Sequence, residues 1–297
     1  MTTEGPPPLQ LIRQNRMFAL HRREVPRARP RGGEPTIRGM EHLAASRLAV
    51  AAPTRPWLTV ASFATGAAAV FRFPLNHDVS WIISIAQRVL AGEVLYVDVV
   101  ELNPPLIVWL TLPLVAAAQL LHVDPGQLLR LVVLAVVAGV CASCARIVHG
   151  RLPPACEQAL APLTVYAAVV VAGYDFGQRE HLAMLLALPY LALAVLRAQG
   201  EPTAARWRIA AAALASIGFV FKPHLLLVPL LVEAVVASRN RRWFDGTATT
   251  IGVAACLYAV AVLVFAPAYL HVASMVSAAY GTGYLGKSVF TFIGVKN

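Results

Sequence analysis

Residues Asn76–Leu106 read NHDVSWIISIAQRVLAGEVLYVDVVELNPPL, and their reading decides the fold. The stretch carries Asp78, Asp98 and Glu101 between two strongly apolar segments. A run joining two such segments lies at a membrane boundary, where an unpaired carboxylate is costly and marks a functional position. Over Val79–Ala91, Ser80, Ser84, Gln87 and Arg88 recur at helical spacing, and Ile82, Ile83, Ile85, Ala86, Val89 and Leu90 fill the other face. The spacing predicts an amphipathic helix lying in the interface, with Gly92 closing its C-terminus. Asp78 opens that helix. It is either an N-cap or a reactive carboxylate, and the residues alone leave both readings standing.

Composition sets the wider class. Hydrophobic residues make up 58% of the 297 and charged residues 13%, about half the charged share of a soluble domain. Mean hydropathy is +0.64. The chain is expected to be an all-α polytopic membrane protein. Of its 25 basic residues, ten are arginines that precede Trp57. A basic flank ahead of a first apolar segment is an orientation signal. It lacks interleaved aromatics, so no nucleic acid is expected as a partner. Cys141 and Cys144 lie within an apolar run and read as small packing residues.

Residues 1–56 are rich in Pro, Gly and Arg and read as a disordered cytoplasmic arm, with a short helix at Met40–Val50. Residues 57–273 read as the membrane module and 274–297 as an external tail. Apolar segments fall at Trp57–Phe73, Leu106–Leu121, Leu128–Val148, Ala159–Tyr174, His181–Leu196, Trp207–Phe221, His224–Ala237 and Thr250–Leu270. Three later loops are basic, around Arg146 and Arg151, around Arg197, Arg206 and Arg208, and around Arg239, Arg241 and Arg242. They share a side with the basic arm only if Leu106–Leu121 does not cross. Seven crossings then remain, with Asn76–Gln127, Tyr174–His181 and Lys222–His224 on the outer face.

Two further clusters face outward in that scheme. Asp175, Arg179, Glu180 and His181 crowd one turn between apolar segments. They are either a solvated, internally paired turn or a site in which the two acids face Asp78 while Arg179 and His181 hold a phosphate. Lys222 precedes Pro223 and either snorkels or meets an anionic head group. Asp98 and Glu101 are either solvated loop charges or part of the same site.

The order Asp78, Ala86, Arg88, Leu90, Gly92, Tyr96, Asp98, Pro104, Pro105, Leu106 resembles the first external loop of the GT-C-fold glycosyltransferases that use polyprenyl-phosphate sugars. That group includes the protein mannosyltransferases (glycosyltransferase family 39) and the lipid A aminoarabinose transferases. The resemblance covers roughly Trp57 to Leu270, and the family's C-terminal half has no counterpart here. It implies transfer of a sugar from a polyprenyl-phosphate carrier to a lipid, glycan or protein acceptor, on the outer face of a bacterial inner membrane. Asp78 would be the base. Asp175, Glu180, Asp98 and Glu101 would position the acceptor. Arg179, Lys222 and His181 would bind phosphate, and a divalent metal between Asp78 and Asp175 is permitted. The family often has Asp-Glu at the place of Asp78–Val79, and lysine at the place of Asn103, so another cation must reach the phosphate. Two other classes compete: a shortened, inactive relative serving as a membrane scaffold or assembly subunit, and a transporter or flippase component. The last predicts charges at mid-membrane and paired broken helices. The charges here cluster at one interface instead.

Overall fold

The computed structural model describes residues 56–241 and 245–280; the N-terminal arm, its expected helix, and most of the expected tail, with Lys287 and Lys296, lie outside them. The described chain is helical, with no strand beyond one isolated bridge between Leu95 and Val99. In order come α1 (Pro56–Arg72), α2 (His77–Leu90), α3 (Leu106–Leu120), α4 (Pro125–Val148), α5 (Pro154–Val165), α6 (Arg179–Ala198), α7 (Ala205–Phe219), α8 (Leu227–Asn240), α9 (Gly246–Phe265) and α10 (Ala268–Tyr280). A π-helical turn, Tyr166–Val171, and a 3₁₀ turn, Gly173–Asp175, extend α5 towards α6.

Among the described residues four helices are long and apolar enough to cross a membrane: α4, α5 with its π turn, α6 and α9. The pair α1 and α2, bent by 68°, makes a fifth if counted as one broken span. The other expected crossings are shorter, at 17 residues for α1, 15 for α7 and 14 for α8. At about 1.5 Å per residue these reach roughly 21–26 Å, against a hydrocarbon core of about 30 Å. Seven crossings are therefore more than length and apolarity alone deliver. The expected segment Thr250–Leu270 also breaks in two, because α9 ends at Phe265 just before Pro267 and α10 begins a new helix.

The ends of these helices sort into two groups. Arg130, near the start of α4, donates to the Phe73 carbonyl just past α1 (2.7 Å), and Leu75 abuts Gly126. The chain thus leaves the end of α1, runs through α2 and α3, which pack on each other, and returns to the same place. At the opposite end, Pro56, Arg146 and Pro154 line one cleft, and Arg146, Leu193 and Trp207 line another. Asn240 donates to the Arg197 carbonyl there (2.8 Å). The basic loops accordingly gather at one end of the bundle, away from Asp78.

The helix starts follow local chemistry. Asn76 caps α2 through its side-chain oxygen on the Asp78 amide (2.8 Å), Asp124 caps α4 on the Gln127 amide (2.8 Å), and Pro125 occupies the first turn of α4. The cap of α2 is Asn76, which frees the Asp78 carboxylate from that duty.

α6 is the most enclosed candidate span, with 61% of its most apolar window buried. It packs on α4, α7 and α8. Its contact with α7 depends on small residues: Ala211, Ala212 and Ala215 are buried, and a Cβ added at Gly218 would stand 2.8 Å from Ala183 Cα. In lipid, such close backbone approach supplies packing that hydrophobicity cannot. Gly218→Ala is expected to destabilise the protein by about 1–3 kcal/mol, because backbone cannot yield as a side chain tip would. Gly252→Ala in α9 meets nothing within 4 Å and is expected to be neutral or mildly stabilising. Thermal unfolding of both variants in detergent checks the contrast.

Candidate active site

Arg179 is the residue around which the site assembles. It stands at the first position of α6, where a cation opposes the helix dipole, and only 10% of its side chain is exposed. Two carboxylates offset that cost. Asp78 Oδ2 lies 3.7 Å from Nη2, and Glu101 Oε1 lies 3.6 Å from Nη1. Nη1 nevertheless has no hydrogen-bond partner among the described residues. A buried donor without a hydrogen bond costs about 1–3 kcal/mol, and the Glu101 carboxylate at 3.6 Å offsets part of that cost as an ion pair.

Glu101 is held from several directions. Trp81 Nε1–H donates to Oε2 (2.9 Å), the Asn103 amide donates to Oε1 (2.9 Å), and the Asn103 side-chain NH₂ donates to the same oxygen. Its side chain is 4% exposed, whereas that of Asp78 is 43% exposed. Glu101 is thus a fixed counter-charge, and Asp78 is the more exposed carboxylate, with Oδ1 3.2 Å from His77 Nε2. Asn103 spends its side chain on Glu101.

The loop carrying Glu101 is ordered by Tyr96. Its backbone is left-handed (φ 69°), its amide donates to the Val99 carbonyl (2.8 Å), and its hydroxyl donates to the Asn103 carbonyl (2.6 Å). Burial raises the Tyr96 phenol above its ordinary range, so it stays a donor. Its ring packs on Tyr269 of α10, with centroids 5.2 Å apart.

Asp78 and Arg179 form the shared wall of two clefts. One, about 400 Å³, is bounded by Trp81, Glu101 and Asn103. The other, about 290 Å³, runs between α3, α4, α6 and α7 and is walled by apolar side chains such as Leu114, Val133, Leu186 and Phe221. A polar chamber and an apolar slot thus meet at one ion pair.

The remaining expected site residues lie elsewhere. Asp175 accepts from Asn76 Nδ2 (3.4 Å), so the Asn76 side chain links it to the Asp78 amide, but Asp175 lines neither cleft. Glu180 is exposed and forms an ion pair with Lys222. Asp98 closes its own loop on the Val94 amide (2.8 Å). His181 is buried with both ring nitrogens engaged: Nδ1 accepts from the Gly177 amide (3.0 Å) and Nε2 donates to the Ala168 carbonyl in the π turn (2.8 Å). It is a strut that pins the turn ahead of Arg179, and it has no nitrogen left for a phosphate. Gly177, at φ +83° and against Leu129, gives that turn its left-handed corner.

No family model, curated protein or solved structure matches the chain. The site must therefore be read from its own chemistry. Among the described residues no group of three or more His, Cys, Asp or Glu converges as a metal ion needs. A guanidinium stands where a cation between Asp78 and Glu101 would sit, and Asp175 is turned to Asn76. The donor set among the described residues does not fit a divalent metal.

Sequence reading missed a second charged cluster. Arg197 forks onto Glu233 (2.9 and 2.8 Å) and reaches Asp245 Oδ2 (2.7 Å), and the Tyr190 hydroxyl donates to Glu233 Oε1 (2.9 Å). The available signal was Glu233 itself, a carboxylate inside an apolar run.

Proposed function

We propose that the chain transfers a sugar from a polyprenyl-phosphate carrier to an acceptor hydroxyl or amine at the outer face of a bacterial inner membrane. This is the activity that the resemblance implied, with the GT-C arrangement and seven crossings as its frame. One observation carries the reading: a buried guanidinium with an open donor divides a polar chamber from an apolar slot. That division suits a donor that is a phosphate joined to a long hydrocarbon. The slot takes the start of the chain, Arg179 takes the phosphate, and the sugar lies in the chamber beside Asp78.

The acceptor heteroatom attacks the anomeric carbon as the carbon–oxygen bond to phosphate breaks. The electron pair leaves with the phosphate, whose charge Arg179 stabilises, and the acceptor's proton passes to Asp78. No metal-assisted step is required. The crowding of basic loops at the far end of the bundle supports a cytoplasmic end there and an outer site at Asp78.

The test is transfer from a labelled polyprenyl-phosphate sugar by the purified protein in liposomes. Asp78→Asn is expected to slow transfer by about 10²–10⁴-fold. Equal rates in variant and parent remove Asp78 from the mechanism, and no transfer by the parent across a panel of acceptors overturns the enzyme reading.

A further inference from the structure

The end of the bundle opposite Asp78 holds a second built recess. Arg146, in the last turn of α4, lines two adjoining clefts of about 330 and 640 Å³. The smaller is apolar within, walled by Ile147, Leu193, Trp207 and Leu214, and its rim carries Arg146 and Arg151. Arg146 has neither an ion pair nor a hydrogen bond among the described residues. Arg151 spends one nitrogen on the Pro202 carbonyl (3.2 Å). Arg206 lies over the Trp207 ring at 5.9 Å, and Arg208 donates to the Thr203 carbonyl (2.8 Å). Among the described residues, Glu233 and Asp245 at this end are taken by Arg197. Glu157 is committed to His149 and the Gly150 amide, and Glu201 is exposed.

We infer that this recess binds an anionic phospholipid, with its phosphate between Arg146 and Arg151 and an acyl chain in the cleft between α4, α6 and α7. Among the described residues Arg146 supplies an unpaired guanidinium at the mouth of an apolar slot, and arginine there exceeds unpaired carboxylate, which selects negative charge. The depth also fits. Leu193 and Arg197 lie 14 and 18 residues beyond Arg179 on α6, roughly 21 and 27 Å along its axis, which places the recess at the other membrane boundary. The Trp207 ring suits that interfacial level. This inference stands apart from the proposed transfer reaction and does not depend on it.

Native mass spectrometry and thermal unfolding of the full chain in detergent test it, with phosphatidylglycerol, phosphatidylcholine and inorganic phosphate as separate probes. Phosphatidylglycerol is expected to remain bound and to raise the unfolding temperature, and the other two to do neither. Arg146→Gln with Arg151→Gln is expected to weaken phosphatidylglycerol binding about tenfold or more. Leu193→Trp, which fills the slot and leaves both arginines, is expected to weaken it as well. Arg72→Gln, at the other end of the bundle, should bind as the parent does. Equal retention of phosphatidylglycerol by the double variant, or of phosphatidylcholine by the parent, overturns the inference. A shift with inorganic phosphate matching that with phosphatidylglycerol overturns the lipid and reassigns the site to a soluble anion.

Discussion

Arg179→Ala is expected to reduce transfer by at least about 10²–10³-fold, the usual cost of removing a preorganised donor from a developing anion. The effect is larger than that of deleting an ordinary surface cation because this guanidinium is enclosed and already oriented. Its Nη1 has no hydrogen bond among the described residues, only the ion pair with Glu101 at 3.6 Å. Loss of the charge also leaves Asp78 and Glu101 facing each other without a counter-ion, so a fall in stability is expected beside the fall in rate. Arg179→Lys separates the two effects. It keeps the charge and so most of the stability, but a compact ammonium cannot span Asp78, Glu101 and a phosphate as a planar fork does. Thermal unfolding near the parent's, together with transfer still depressed at saturating donor, is the expected outcome. Full activity in the lysine variant would show that the fork is not used.

The helical, membrane-embedded character of the chain was legible because apolar segments and basic loops are one-dimensional patterns. The parity of arginines spoke to which segments cross, whereas the return of α2 and α3 to the end of α1 is a packing arrangement seen in contacts such as Arg130 with the Phe73 carbonyl. Within the site, Asp78 and Arg179 were named together and are 3.7 Å apart. The assignments of Asp175, Glu180 and His181 were not recoverable, and the cause is local. The left-handed corner at Gly177 and the 3₁₀ turn before it set where each neighbouring side chain points, and one-residue differences there separate a site residue from a strut. Asp78 read as a possible cap, whereas Asn76, two residues earlier, takes that role. Only the helix boundary decides between them. Glu101 and Trp81 lie 20 positions apart, and no spacing rule pairs them.

The largest loss of stability is expected at Arg197→Met. The side chains of Arg197 and Glu233 are 7% and 14% exposed, and Asp245, Tyr190 and Asn240 complete the knot between α6, α8 and the start of α9. Removing the one cation strands two carboxylates, and breaking a buried pair in this way costs about 3–5 kcal/mol. Adding Glu233→Leu is expected to recover part of that loss, because a buried pair exchanged for apolar groups is often close to neutral. A double variant no better than the single one would mean that Asp245, not Glu233, carries the coupling. Acid should find the same weak point. Burial alone would raise the Asp245 carboxyl, but the Ala248 and Thr247 amides and Arg197 outweigh it and hold the carboxyl below its ordinary value. A depressed carboxyl contributes stability above its unfolded pKa, about 3.9, and loses it as pH falls through the folded value. Thermal unfolding is therefore expected to weaken below about pH 4, and Asp245→Asn should start lower and lose less over that window. Arg197 lies roughly 27 Å from Arg179 along α6, so the folded fraction of these variants should transfer at the parent's rate. A selective loss of rate without loss of stability would instead tie this knot to the chemistry at the other end of the helix.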